Sequence, residues 1–192
     1  MCGIYGIAGL DWNPSLDREV LARMGRVIVH RGPDDDGHFY NGGVGLGMRR
    51  LSIIDLKGGH QPIANEDETI WVVCNGEIYN FKELRDELEK KGHHFRTHSD
   101  TEVIVHLYED FGVDLFKRLR GMFAIAVWDA QRKRLVQPGI VSARSLSTSH
   151  DSLAGCFLRR RSNRFSRITP FQESLIIRLS TNILLSAMCR LL

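Results

Sequence analysis

Cys2-Gly3-Ile4-Tyr5-Gly6-Ile7-Ala8-Gly9-Leu10 opens the chain as an apolar, glycine-studded run. Such a run reads as a buried strand that other backbone approaches closely. A strand beginning at residue 2 or 3 fixes the start of the chain inside the fold. From Ser15, an N-cap candidate, Leu16, Val20, Leu21, Met24, Val27 and Ile28 recur at helical spacing up to His30, predicting an amphipathic helix with one core-facing stripe. Phe39-Tyr40, Asn41-Gly42-Gly43 and Val44 to Gly47 then read as a hairpin, because Asn-Gly supplies the positive φ that a tight turn needs. Leu51 to Ile54 and Ile70 to Cys74 are further strand candidates.

Asn80-Phe81-Lys82-Glu83 starts a second helix in the capping-box manner, with Leu84 and Leu88 inward and Gly92 as its stop. Ser99-Asp100-Thr101-Glu102 repeats the device ahead of Val103, Ile104, Leu107 and Tyr108, and Gly112 ends that helix. Met122 to Trp128 is a buried strand; Ala130 to Lys133 turns the chain into another that begins Arg134-Leu135-Val136. Strands, two adjacent helices and strands again predict a layered α+β arrangement with antiparallel sheets.

At 192 residues and 43% apolar side chains, the chain can build one ordinary core and is not disordered throughout. It contains no run of about 20 apolar residues and no signal-peptide pattern at its start, so a cytoplasmic protein without a membrane span is expected. Cys2, Cys74, Cys156 and Cys189 have no CxxC spacing, which argues against a zinc knuckle or disulfide framework. The formal charge of +3 conceals a split. Residues 1–136 hold 18 Lys+Arg and 21 Asp+Glu, whereas residues 137–192 hold 8 and 2. The second part also carries 10 of the 13 serines and no lysine. Two different composition rules produced this chain.

Cys2 is the first chemical clue. Removal of Met1 would leave a thiol and an α-amine on one residue. An α-amine titrates near pH 8 (about 7.7–8.0) in small peptides and so accepts a thiol proton at neutral pH. Taken singly, Cys2 is unremarkable, Arg50 and Asp100 read as surface charges, and Asn75-Gly76 reads as a turn. Cys74 closes an apolar strand and reads as an inert core thiol. Gly43-x-Gly45-x-Gly47 lacks the rest of a dinucleotide fingerprint. His93, His94 and His98 lie between two helices without a Cys or carboxylate pattern, so they read as solvated loop and no metal site is expected.

Five segments carry a resemblance to a known family: Met1-Cys2-Gly3-Ile4; His30-Arg31-Gly32-Pro33-Asp34-Asp35-Asp36-Gly37; Arg50-Leu51-Ser52-Ile53-Ile54-Asp55 followed by Gly59-His60-Gln61-Pro62; Cys74-Asn75-Gly76-Glu77-Ile78-Tyr79-Asn80; and Ser99-Asp100-Thr101-Glu102. In this order and spacing they resemble the class II glutamine amidotransferases, and within these the glutaminase domain of glutamine-hydrolysing asparagine synthetases. The resemblance implies a four-layer α/β/β/α N-terminal-nucleophile (Ntn) hydrolase sandwich of two antiparallel sheets. It implies that Cys2 attacks the side-chain amide of glutamine to give a γ-glutamyl thioester and ammonia. Asn75, through its side chain, and Gly76, through its backbone N–H, would hold the oxyanion. Arg50, Ile53, Glu77 and Asp100 would bind the substrate amino acid, Arg50 at the α-carboxylate and Asp100 with Glu77 at the α-ammonium. The glutaminase half-reaction needs no cofactor.

The resemblance covers residues 2–136 and stops after Val136. From Gln137 the chain can be encoded so that reading from the third base spells Ala-Arg-Asp-Arg-Leu-Gly-Thr-Lys-Pro-Leu-Tyr, a family segment. Cys156 to Phe165 in the same shifted frame can spell Leu-Phe-Ala-Ser-Glu-Ile-Glu-Pro-Leu, another one. Residues 137–192 are therefore expected to be an out-of-frame tail, disordered or poorly packed, leaving the sandwich incomplete at its C-terminal end with open sheet edges. Leu175 to Leu192 is apolar enough to look helical. Arg159-Arg160-Arg161 has no accompanying aromatic platform, so neither a nucleic-acid nor a membrane partner is expected. The family's synthetase domain, which uses ATP and Mg²⁺, has no counterpart here. The homodimer common among intact members is not expected to persist. Two alternatives stay open: a non-functional gene product, and a glutaminase domain serving another acceptor.

Overall fold

The computed structural model describes residues 2–8, 13–41, 43–52 and 58–138, together with two short strands at 155–159 and 174–178. The elements in chain order are β1 (Gly3–Ala8), α1 (Pro14–Val27), β2 (Asp35–Asn41), β3 (Val44–Arg50), β4 (Ile63–Ala64), β5 (Ile70–Ile78), α2 (Phe81–Lys90), α3 (Val103–Phe111), β6 (Gly121–Asp129), β7 (Arg134–Pro138), β8 (Gly155–Arg159) and β9 (Ser174–Arg178). They form a four-stranded sheet, ordered β2-β3-β1-β8, and a five-stranded sheet, ordered β4-β5-β6-β7-β9.

Side-chain alternation along the strands stacks these sheets. On β1, Tyr5 and Ile7 pack with Leu21 of α1, while Ile4 and Ala8 face Val73, Ala126, Trp128 and Leu135 of the second sheet. The other face of that sheet, with Val72, Cys74, Ile125, Val127 and Val136, packs on Leu84, Leu88, Ile104, Leu107 and Tyr108 of α2 and α3. The layers run α1, first sheet, second sheet, then α2 with α3, and period-two burial on both inner faces supports this order. The α+β class and the α/β/β/α sandwich agree with expectation.

Several local expectations change. The hairpin forms, with Asn41 opposite Val44 and Gly43 at φ 113°. Helix α1 stops at Val27, which is 69% exposed and off the core stripe; Val29–Arg31 continues as a 3-10 turn. No strand continues into Leu51 and Ser52, and Ile53 and Ile54 lie outside the described residues. Asn80 does not cap α2 with its side chain. Its amide instead spans Arg118 O (2.9 Å) and Arg120 N (2.9 Å), tying the helix start to the approach of β6. Ser99 accepts the Thr101 N–H (3.2 Å), but Glu102 turns to the N–H groups of Arg96 and Thr97 (both 2.7 Å). Met122, expected in the buried strand, is 60% exposed.

The sheet edges also differ from expectation. β8 pairs with β1 in parallel, so the first sheet is mixed, and β9 pairs antiparallel with β7. The residues expected to leave these edges open thus supply a strand to each. Unpaired N–H and C=O groups along an edge accept any extended segment within reach, whatever its origin. Ser174–Arg178 is strand where a helical run was expected, and the rest of Leu175–Leu192 lies outside the described residues.

Leu107 is fully buried between α3 and the second sheet. Leu107→Ala should remove about 2–5 kcal/mol of stability, read as a lower urea midpoint. Val27→Ala should shift stability by less than about 0.5 kcal/mol. Equal midpoint shifts for the two would contradict the burial described for α1.

Candidate active site

Cys2 stands at the entry to β1, where the first sheet places it against the end of β3. Its Sγ accepts the Leu51 N–H (3.3 Å) and lies 3.5 Å from Leu51 O, and its own carbonyl accepts the Arg31 Nε–H (3.2 Å). The half-buried thiol packs against the apolar layer between the sheets. Backbone on both sides therefore holds the thiol.

The Arg31-Gly32-Pro33-Asp34-Asp35 segment braces this arrangement. A Cβ on Gly32 would sit 2.3 Å from the Arg49 carbonyl carbon and 2.4 Å from Arg50 N, so only glycine allows the turn to lie against β3. Asp34 N–H donates to Arg50 O (3.1 Å), and Asp34 Oδ2 accepts the Ser52 N–H (2.9 Å). Asp35, opposite Arg50 in the β2–β3 pair, is 4.0 Å from Arg50 Nη1 and 2.9 Å from His60 Nδ1. Arg50 is 6% exposed, so it is a buried guanidinium beside the thiol segment and not the surface charge it resembles in isolation. Roles for Arg31, Asp34, Asp35 and His60 were not assigned from sequence. The three successive aspartates of the motif were the available signal.

Across from β1, the end of β5 supplies Asn75, Gly76 and Glu77. Asn75 is buried, and its Nδ2 has no hydrogen-bond partner among the described residues. Gly76 has φ 147°, and a Cβ there would lie 2.0 Å from Met122 O, so this stretch of backbone requires glycine. Glu77 is exposed. Asp100, at the turn leading into α3, is buried and its Oδ2 accepts the Ile78 N–H (2.8 Å). Burial raises the Asp100 pKa above its ordinary value, against that hydrogen bond and with help from the Glu77 charge. Ile53 lies outside the described residues.

Cys74 is the other described thiol, and it is enclosed. Burial pushes its pKa far up, with further increments from Asp100 and Cys2, so Cys2, Cys74 and Asp100 share one electrostatic neighbourhood. Gln61 reads the Cys74 backbone on both sides: Cys74 N–H donates to Gln61 Oε1 (2.7 Å), and Gln61 Nε2 donates to Cys74 O (3.2 Å). The inert reading of Cys74 stands, since a buried neutral thiol is a poor nucleophile.

A buried carboxyl with a raised pKa sets a pH dependence. The folded state holds the Asp100 proton more tightly than the unfolded chain, so this group lowers stability as pH rises from about 3.8 through its higher folded value. Asp100→Asn should therefore raise the thermal midpoint at neutral pH, with the gain shrinking to nothing on acidification below that window. A variant less stable than the parent at pH 7 would contradict the burial cost assigned here.

The profile of the glutamine amidotransferase domain family matches residues 1–138. Among curated relatives, asparagine synthetase [glutamine-hydrolyzing] 1 of Bacillus subtilis is 48% identical over 133 residues, covering 67% of this chain and 21% of its own. Asparagine synthetase [glutamine-hydrolyzing] 1 of Arabidopsis thaliana is 46% identical over 131 residues, covering 68% and 22%. The chain thus spans about a fifth of the length of the curated relatives it matches. Among solved structures, the glutamine phosphoribosylpyrophosphate amidotransferase from B. subtilis superposes with a TM-score of 0.40 at 22% identity, over 48% of this chain and 22% of that one. The match over residues 1–138, together with these relatives, places this chain in the glutamine amidotransferase domain family.

Proposed function

We propose that residues 2–136 form a glutaminase domain of the asparagine-synthetase type, which hydrolyses glutamine to glutamate and ammonia through Cys2. In this reading, removal of Met1 frees the Cys2 α-amine, which takes the thiol proton. The thiolate attacks the glutamine Cδ, and the tetrahedral intermediate expels ammonia with the proton returned by the ammonium. Water then cleaves the γ-glutamyl thioester, releasing glutamate and restoring the thiol.

The observation that carries this reading is the buried Asn75 Nδ2 without a partner, on the strand facing Cys2. Burying an amide donor unsatisfied costs about 1–3 kcal/mol, a cost that a developing oxyanion recovers at the moment of reaction. The Gly76 backbone N–H is the second proposed oxyanion donor. The planar Arg50 fork can pair a substrate α-carboxylate, and Ile53 is a further proposed substrate contact. Asp100, with Glu77, supplies negative charge for the α-ammonium. The thioester chemistry itself draws on no metal or organic cofactor.

Beyond this domain, ammonia would pass to a synthetase domain that uses ATP and Mg²⁺ in a cytoplasmic, dimeric full-length enzyme. The compositional change after Val136 supports reading residues 137–192 as out-of-frame sequence, and resequencing codons 130–200 tests it: a single-base correction that restores a long frame is expected. Unchanged bases there would make the frame shift genuine and this chain a remnant that keeps the catalytic residues.

The full chain, incubated with glutamine, should release glutamate. Asn75→Ala should lower kcat by about 10²–10³-fold, and Cys2→Ala should abolish turnover. A folded chain without glutaminase activity would favour the reading of a non-functional gene product.

A further inference from the structure

Away from Cys2, four side chains from three separate segments meet at one point of the helical layer. Glu66 comes from the turn after β4, His93 from the connection between α2 and α3, and His106 with Glu109 from successive turns of α3. One ligand atom from each lies within 4.8 Å of all the others. Both histidines present Nδ1 to this point. His106 Nδ1 is 3.2 Å from Glu109 Oε2 and 3.4 Å from Glu66 Oε2; His93 Nδ1 is 3.5 Å from Glu109 Oε2 and 3.8 Å from Glu66 Oε1. An ion with four ligands at about 2.0–2.1 Å in a tetrahedron holds them about 3.4 Å apart, edge to edge. These separations, taken to Oε2 of Glu66 from His106 and to its Oε1 from His93, lie on both sides of that value, and three of the four exceed good hydrogen-bond length.

We propose that Glu66, His93, His106 and Glu109 bind one Zn²⁺ ion, which staples the 65–69 turn and the α2–α3 connection onto α3. Two imidazoles and two carboxylates suit a borderline divalent ion, and the two negative charges balance it. Four protein ligands from a closed set make the site structural.

The surroundings are those of metal-binding histidines. His93 Nε2 lies 3.1 Å from Asp110 Oδ1, an outer partner that fixes that ring's orientation and tautomer. The buried His106 Nε2 is 3.9 Å from Glu102 Oε1 and makes no hydrogen bond among the described residues, while its Nδ1 points inward. Asn65 Nδ2 donates to Glu109 Oε1 (2.8 Å), leaving Oε2 for the centre, and the His94 N–H donates to Glu66 Oε1 (3.0 Å). His93 is 16% exposed and its ring lies tilted against that of His106 at 4.9 Å between centroids, which corrects its reading as a solvated loop residue.

Cobalt(II) is the probe. It is added to the full chain after the accessible thiols have been alkylated with iodoacetamide, so that only nitrogen and oxygen donors remain. The expected result is uptake of one equivalent, with the intense visible d–d bands of a tetrahedral ion, bleached by one equivalent of Zn²⁺. His93→Gln and Glu66→Gln each remove a ligand that lies outside α3 and should each weaken Co²⁺ binding at least about 100-fold, with far-UV circular dichroism unchanged. Asp110→Asn, which removes the carboxylate behind the His93 ring together with its ion pair to Lys91, should weaken binding about 10-fold. A folded wild-type chain that takes up no Co²⁺, one showing only the pale octahedral spectrum, or folded variants that bind as well as the wild type would each overturn the proposal.

Discussion

The arrangement around the thiol depends on holding Cys2 in place. Chain ends ordinarily fray, since few contacts repay the entropy of ordering them. Here β1 lies inside its sheet, between β3 and β8, and Ile4, Tyr5 and Ile7 are buried. Arg31 takes the Cys2 carbonyl, and Leu51 takes its sulfur. With the thiol held this way, the end of β3, the end of β5 and the turn into α3 can be set around it. Loss of any of these supports would free the thiol before it unfolded the core.

The same region concentrates features that oppose stability. Asp100 is buried with its pKa raised, Asn75 keeps an unsatisfied amide, and Gly76 takes a backbone conformation closed to other residues. Each is a local cost that three packed apolar layers offset. Such costs gather where a pocket must meet a charged ligand or a developing charge. Cys74, a few ångströms of backbone from Asn75, shows the opposite arrangement: its thiol is enclosed, and Gln61 satisfies its backbone.

Period-two and helical spacings made the main layers legible, because those patterns reflect burial directly. The hairpin at Asn41-Gly42-Gly43 was equally readable, since its turn needs positive φ. What failed was chemistry that local pattern leaves ambiguous. Asn80 and Glu102 have capping-box identities, but better-placed partners at Arg118, Arg120, Arg96 and Thr97 claim their side chains. Val27 lies at the frayed end of its stripe, where the helix tightens into a 3-10 turn. The edge strands β8 and β9 depend on vacant hydrogen bonds that no feature of their own sequence announces. Among the proposed site residues, Cys2, Arg50, Asn75, Gly76 and Asp100 stand out in the sequence only as a set in family order. The supports at Arg31, Asp34 and Asp35, and the meeting of His93 with His106, depend on tertiary approach across turns.

The central claim is that Cys2 is the nucleophile and Cys74 an enclosed bystander. It is tested most directly by treating the folded chain with a glutamine analogue bearing an electrophilic γ-diazoketone, followed by peptide mapping. The account predicts one adduct, on Cys2, prevented by excess glutamine and absent in Cys2→Ala. Labelling spread over Cys74, Cys156 and Cys189, or insensitive to glutamine, would contradict it.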